Sequence, residues 1–135
     1  MNEMKAIEFH LDSRSGVSPY LQIVQQVRRA LRLGLLREGD QLPTVKDVVA
    51  RLAINPNTVL KAYRELDLEG LTEGKRGVGT FVSSTAPGAS VENPEVLGRE
   101  LSRWLERARK AGLDEESIGA LFAMTVHAFF FEEAA

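Results

Sequence analysis

LPTVKDVVARLAINPNTVLKAYRELDLEGLTEGKRGVGTFV, residues 42–82, contains two helix openings, a two-residue turn between the helices, and a basic hairpin bracketed by glycines. Pro43 and Thr44 open the first helix, with Asp47 three residues beyond Thr44 as a short-armed capping box and Val45, Val48, Val49 and Leu52 on the apolar side. The second helix opens on Asn55 and Pro56. A residue before proline avoids helical backbone, which suits Asn55 to the cap, and the fixed φ of proline suits Pro56 to the first turn. Val59, Ala62, Tyr63 and Leu66 then face inward at helical spacing. Only Ala53 and Ile54 separate Leu52 from that cap, too few residues for antiparallel packing without a sharp angle, so a helix-turn-helix is predicted. Gly70 stops the second helix, and Gly74, Gly77 and Gly79 bracket Lys75 and Arg76 between two short extended pieces, the pattern of a wing. The predicted fold class is mainly α with a small β wing: a winged helix-turn-helix, a module for entering duplex DNA, followed by a two-helix segment.

Upstream, residues 5–12 alternate Ile7, Phe9 and Leu11 against Glu8, His10 and Asp12, which predicts a short half-buried strand. Ser18 and Pro19 open a helix with Tyr20, Ile23, Val24, Val27 and Leu31 at helical spacing, ending at Gly34. Gln22, Arg28, Arg29 and Arg32 fall on the other side and read as a solvated face, with Arg28 or Arg32 near a phosphate. Downstream, residues 84–93 are small, Pro- and Gly-containing, and predict a linker between a DNA-binding domain of residues 1–83 and a helical dimerisation region of residues 94–135. Asn93 and Pro94 repeat the cap-plus-proline opening, Leu97, Leu101, Trp104, Leu105 and Ala108 form a stripe ending near Gly112, and Asp114 caps a last helix. In that helix Ile118, Leu121, Phe122, Thr125, Val126 and Phe129 share one face, while Met124, Phe130 and Phe131 fall outside it. About forty residues bury too little area to cover so many apolar side chains. Dimerisation through Leu97, Leu101, Trp104, Leu121, Phe122, Phe129 and Phe130 of two copies is therefore expected.

Composition sets the class. The chain has 135 residues, 44% hydrophobic and 27% charged, with a net charge of -2 and no cysteine, which excludes disulfides, thiolate metal sites and cysteine nucleophiles. No apolar run approaches the roughly 18 residues of a membrane span and the N-terminus lacks signal-peptide character, so no membrane partner and a cytoplasmic location are expected. Residues 1–84 carry 12 Lys+Arg against 10 Asp+Glu, and residues 85–135 carry 5 against 9. DNA affinity must then come from charge placed on one face. His10 and His127 are isolated and no phosphate-binding or nucleophile motif occurs, so neither an enzyme nor a cofactor or metal site is expected.

With the inward face fixed, the 3.6-residue period leaves Asn57, Lys61 and Arg64 near the centre of the outward face, flanked by Thr58 and Leu60. Asn57 suits an adenine edge, Thr58 a phosphate or base, Leu60 a thymine methyl, and Lys61 a guanine edge or a phosphate. Exposed amides at the two helix starts favour phosphates, with Lys46 and Arg51 on the same approach. Lys75 and Arg76 suit the flanking minor groove, with Gly77 permitting close backbone approach and Thr80 a backbone contact. The competing reading is a winged-helix module that docks the same face on a protein.

Residues 42–82, with the entry Ser18-Pro19-Tyr20-Leu21-Gln22-Ile23, resemble the N-terminal domain of the GntR family of bacterial transcription regulators. NPNTVLKAYRELDLEGL followed by RGVGTFV, with the short C-terminal part, is similar to its YtrA subfamily. The resemblance implies contacts to DNA from Thr44, Lys46, Asn55, Asn57, Thr58, Lys61, Lys75, Arg76 and Gly77, and a homodimeric repressor of its own operon acting on a palindromic operator. It departs from many members, which carry arginine early in the recognition helix where this chain has Pro56 and Leu60, and arginine where it has Lys46. Larger members append a ligand-binding or aminotransferase-like domain, which the residues after Asn93 are too few to form. Whether a small-molecule effector acts is left open.

Overall fold

Proline at the first turn and glycine past the last set the bounds of the first helix in the computed structural model, which describes residues 7–88 and 91–134. The elements are α1 (Pro19–Leu33), α2 (Val45–Leu52), α3 (Pro56–Leu68), β1 (Thr72–Lys75), β2 (Gly79–Val82), α4 (Pro94–Lys110) and α5 (Glu115–Ala134). The chain divides into two compact units, Met1–Pro94 and Glu95–Ala135.

In the first unit, Ile23, Val24 and Val27 of α1 interlock with Val59, Ala62, Tyr63 and Leu66 of α3, and Phe9, Leu36, Leu42, Val48 and Val82 close the core around them. Each fully buried aliphatic side chain contributes about 1.5–3 kcal/mol of transfer free energy. The helix-turn-helix angle is set locally. Thr44 Oγ1 accepts from the Asp47 amide at 3.1 Å and Asn55 Oδ1 from the Asn57 amide at 2.8 Å, as the capping reading predicted. Between them Ala53 adopts the left-handed region, φ 55 and ψ 47, with its amide donating to Val49 O. The Tyr63 hydroxyl donates to the Pro43 carbonyl and so ties α3 to the approach to α2. Burial pushes the titration of that hydroxyl well above the ordinary tyrosine range, with Asp47 adding to the shift.

β1 and β2 pair antiparallel, Thr72 with Val82 through Lys75 with Gly79. A third edge comes from the loop before α2: Leu42 N–H donates to Thr80 O at 2.8 Å, Val82 N–H to Asp40 O at 2.8 Å, and Gly39 N–H to Val82 O at 3.0 Å. The base of the hairpin is thereby hydrogen-bonded to the segment that leads into α2.

Residues 7–12 and Gln22 depart from the sequence expectations. Lys5 and Ala6 lie outside the described residues, and residues 7–12 form no strand. Their alternating burial is real, with Phe9 in the core and Glu8, His10 and Asp12 exposed, but glutamine side chains take the place of a partner strand. Gln26 accepts from His10 N–H at 3.1 Å and donates to His10 O at 2.7 Å, and Gln22 does the same for Asp12 at 2.8 and 3.0 Å. Gln22 is consequently not on a solvated face. It is 8% exposed, and it also donates to Val17 O, which satisfies a buried amide.

In the second unit, Ala108 is the one buried residue among those described. Asn93 precedes α4 at φ 53, in the left-handed region, unlike the extended backbone of Asn55. Asp114 Oδ1 accepts from the Ser117 amide at 2.8 Å and caps α5, and hydrogen bonding from Ser117, its side chain first and its amide second, holds the Asp114 carboxyl below the usual aspartate range. Leu97, Leu101, Leu121, Phe122, Phe129 and Phe130 are exposed and Trp104 is half-buried. Met124 and Phe131 are 71% and 67% exposed on other sides of α5, which carries no charge from Ser117 to Phe131. A helix apolar all round is ordinarily a buried helix.

Candidate nucleic-acid interface

The inward face of α3 leaves Asn57, Lys61 and Arg64 within about 60° of one another around the helix at 100° per residue, and all three are exposed. Leu60 flanks them, also exposed, whereas Thr58 is half-buried and presents only part of its side chain. Thr44 and Asn55 stand exposed at the starts of α2 and α3. Their capping bonds use the acceptor oxygens, which leaves the Thr44 O–H and the Asn55 NH2 as donors suited to a phosphate. Lys46 is exposed in the first turn of α2, where the aligned peptide dipoles also favour an anion.

On the hairpin, Lys75 closes β1 while Arg76, Gly77 and Val78 form the turn, held by Val78 N–H to Lys75 O at 2.9 Å. Gly77 has φ 75 with no atom within 4 Å of where a Cβ would sit, so its backbone is open to a surface laid against it. Gly79 has a different role. At φ 146 a Cβ there would meet Gln41 Nε2 at 2.5 Å, so this glycine lets residue 41 pack against the hairpin.

The arginines divide. Arg64 and Arg76 are exposed. Arg28 is held by a two-point hydrogen bond to Glu69, past the end of α3, which raises the arginine pKa and lowers that of Glu69. A charge so paired is a brace between α1 and α3 rather than a phosphate contact. Arg51 lies 3.5 Å from Glu8.

Periodicity placed Tyr20 on the apolar side of its helix but missed its role, and it missed Gln41 altogether, because both roles depend on neighbours distant in sequence. The Lys61 ammonium sits 4.0 Å from the centroid of the Tyr20 ring, and Gln41 Nε2 donates to Val78 O at 3.4 Å. The Ser18-Pro19 helix start was a legible signal that Tyr20 lies in a first turn, but nothing in the spacing connects it to Lys61.

The family described as bacterial regulatory proteins, gntR family, matches residues 19–82. The HTH-type transcriptional repressor YtrA of Bacillus subtilis (strain 168) is 38% identical over 109 residues, covering 80% of this chain and 84% of that protein. The HTH-type transcriptional regulator YhcF of the same organism is 30% identical over 99 residues, 73% of this chain and 82% of YhcF. Among solved structures, YtrA from Sulfolobus acidocaldarius, a GntR-family transcription factor, superposes with a TM-score of 0.52 at 28% identity, over 73% of this chain and 97% of that one. A transcriptional antiterminator from Listeria monocytogenes EGD-e gives 0.57 at 27% identity, over 90% and 92%.

Proposed function

The chain belongs to the gntR family of bacterial regulatory proteins, and on that premise we propose that it is a cytoplasmic, homodimeric repressor that binds a palindromic operator in double-stranded DNA without a cofactor. The observation that carries the DNA reading is the exposed Asn57, Lys61 and Arg64 stripe of α3, taken with the exposed donors of Thr44 and Asn55 and the exposed Lys75-Arg76-Gly77 turn. In this reading Thr44, Lys46 and Asn55 hold phosphates and set register, Asn57, Thr58, Lys61 and Arg64 address base edges, and Lys75, Arg76 and Gly77 hold the flanking groove. Repression is the function named for YtrA of Bacillus subtilis.

Dimerisation is assigned to Leu97, Leu101, Trp104, Leu121, Phe122, Phe129 and Phe130 of residues 94–135, with residues 1–83 as the DNA-binding domain and 84–93 as the linker. What supports it is the apolar surface that α4 and α5 leave exposed in one copy. Two α3 helices presented by such a dimer would read half-sites about 34–36 Å apart or a multiple of that. A gel-shift series against fragments of the neighbouring genomic region, with competitor DNA, tests the reading. One fragment should be retained at competitor excess, and absence of specific binding even at low salt would transfer the α3 face to a protein partner.

A further inference from the structure

Two of the cations assigned to DNA rest on aromatic rings. Lys61 of α3 holds its ammonium 4.0 Å from the centroid of Tyr20, which belongs to the first turn of α1. Lys75 of β1 holds its ammonium 5.0 Å from the centroid of Phe81 on β2. Both rings are half-buried, and Tyr20 packs against the core cluster, so the protein fixes the ring while one face remains open to the cation. Within about 6 Å the negative face of a ring attracts an ammonium, and the N–H bonds pointing away from the ring still donate.

We propose that Tyr20 is a positioning residue of the DNA interface, which holds the ammonium of the exposed Lys61 beside the first turn of α1, and that Phe81 likewise holds the Lys75 ammonium on the wing. The inference rests on the DNA-binding reading above. A lysine side chain loses much rotamer freedom when it is ordered against a partner. A ring that orders it beforehand removes part of that loss from the binding step. The arrangement also limits reach: Lys61 lies on the stripe between Asn57 and Arg64, and its anchor on α1 keeps the ammonium on the side of α3 that faces Tyr20.

The test uses the full chain and a duplex selected by the wild-type protein from a random-sequence pool. Tyr20→Phe keeps the ring and is expected to bind as wild type. Tyr20→Leu keeps apolar volume but removes the ring, and is expected to weaken binding about two-fold to five-fold, with no further loss when Lys61 is already Ala. In the free protein the Lys61 ε-methylene protons are expected to be shifted upfield by the ring current, a shift that Tyr20→Phe retains. Equal loss from Tyr20→Leu in both Lys61 backgrounds, or an unshifted Lys61 methylene in the wild type, overturns the proposal. Failure of the wild-type protein to enrich any duplex overturns the DNA reading and this proposal with it. The ring-current shift, read without DNA, then distinguishes a Lys61–Tyr20 pair that serves another partner from one that does not exist.

Discussion

Ala53 carries the turn of the helix-turn-helix at φ 55 and ψ 47, a conformation that puts a Cβ too close to its own carbonyl. That strain is about 1–2 kcal/mol for an L-residue, and glycine would relieve it against about 0.4–1 kcal/mol of extra unfolded-state entropy. Ala53→Gly is therefore expected to stabilise the first unit by roughly 0.5 kcal/mol, seen as a higher urea midpoint with unchanged slope. On the outward face, Asn57→Ala and Lys61→Ala are expected to change sequence preference, costing on the order of 1–3 kcal/mol on the operator where a bidentate base contact is lost. Equal loss on operator and random duplex would make both of them phosphate contacts. Replacing Lys75 and Arg76 with Ala should instead weaken binding to all duplexes and flatten the salt dependence, because two counterion-releasing contacts disappear. The caps at Thr44 and Asn55 were legible because a cap depends on its own next three residues. The roles of Gln22 and Tyr20 were not, since helical period gives a direction and not the partner waiting there.

At the scale of elements, the hairpin depends on a glycine for its own φ of 146 and, beyond the hairpin, for room for the Gln41 side chain. Gly79→Ala would combine an unfavourable φ of 146 with a clash on Gln41, and it should loosen the bonds from Leu42 and Asp40 to β2. Faster hydrogen exchange at the Leu42 and Val82 amides, with the exchange of α1 unchanged, is the expected signature; unchanged exchange at both amides would remove Gln41 as the reason for that glycine. The wing was read from its glycines, yet its third edge was not, because a single bridge between Gln41 and Phe81 leaves no periodic trace. Residues 7–12 show the converse: period-two burial was legible and correct, but a side-chain amide can satisfy the backbone that a strand would. At the cap of α5, hydrogen bonding from Ser117, its side chain first and its amide second, holds the folded-state pKa of Asp114 below its unfolded value. The stabilisation it gives is thus present above the unfolded aspartate pKa of about 3.9 and lost as pH falls through the lower folded value. Asp114→Asn should remove that acid-side loss, and an unaltered acid melting profile of α5 would refute the cap's contribution.

At the scale of the molecule, the two units divide charge and apolar surface between them. The basic balance and the α3 stripe lie in residues 1–84, and the acidic balance lies in residues 85–135, where Phe129, Phe130 and Phe131 are all at least 60% exposed. The excess of apolar residues over what two helices can bury was legible from counting; the identity of what covers them is not written in one chain. A second copy is the occupant proposed, and Leu101→Glu combined with Phe129→Glu should yield a sedimenting monomer with its first unit intact. A dimer that survives both charges would place the interface elsewhere. The function proposed for the whole molecule is sequence-specific binding of duplex DNA by two copies of this chain. Fluorescence anisotropy of a labelled palindromic duplex recovered by selection, titrated at physiological salt beside a scrambled duplex, addresses it directly. Saturation at two chains per palindrome is expected, with at least about 1,000-fold preference over the scramble, and equal affinity for the two duplexes would rule out sequence-specific binding.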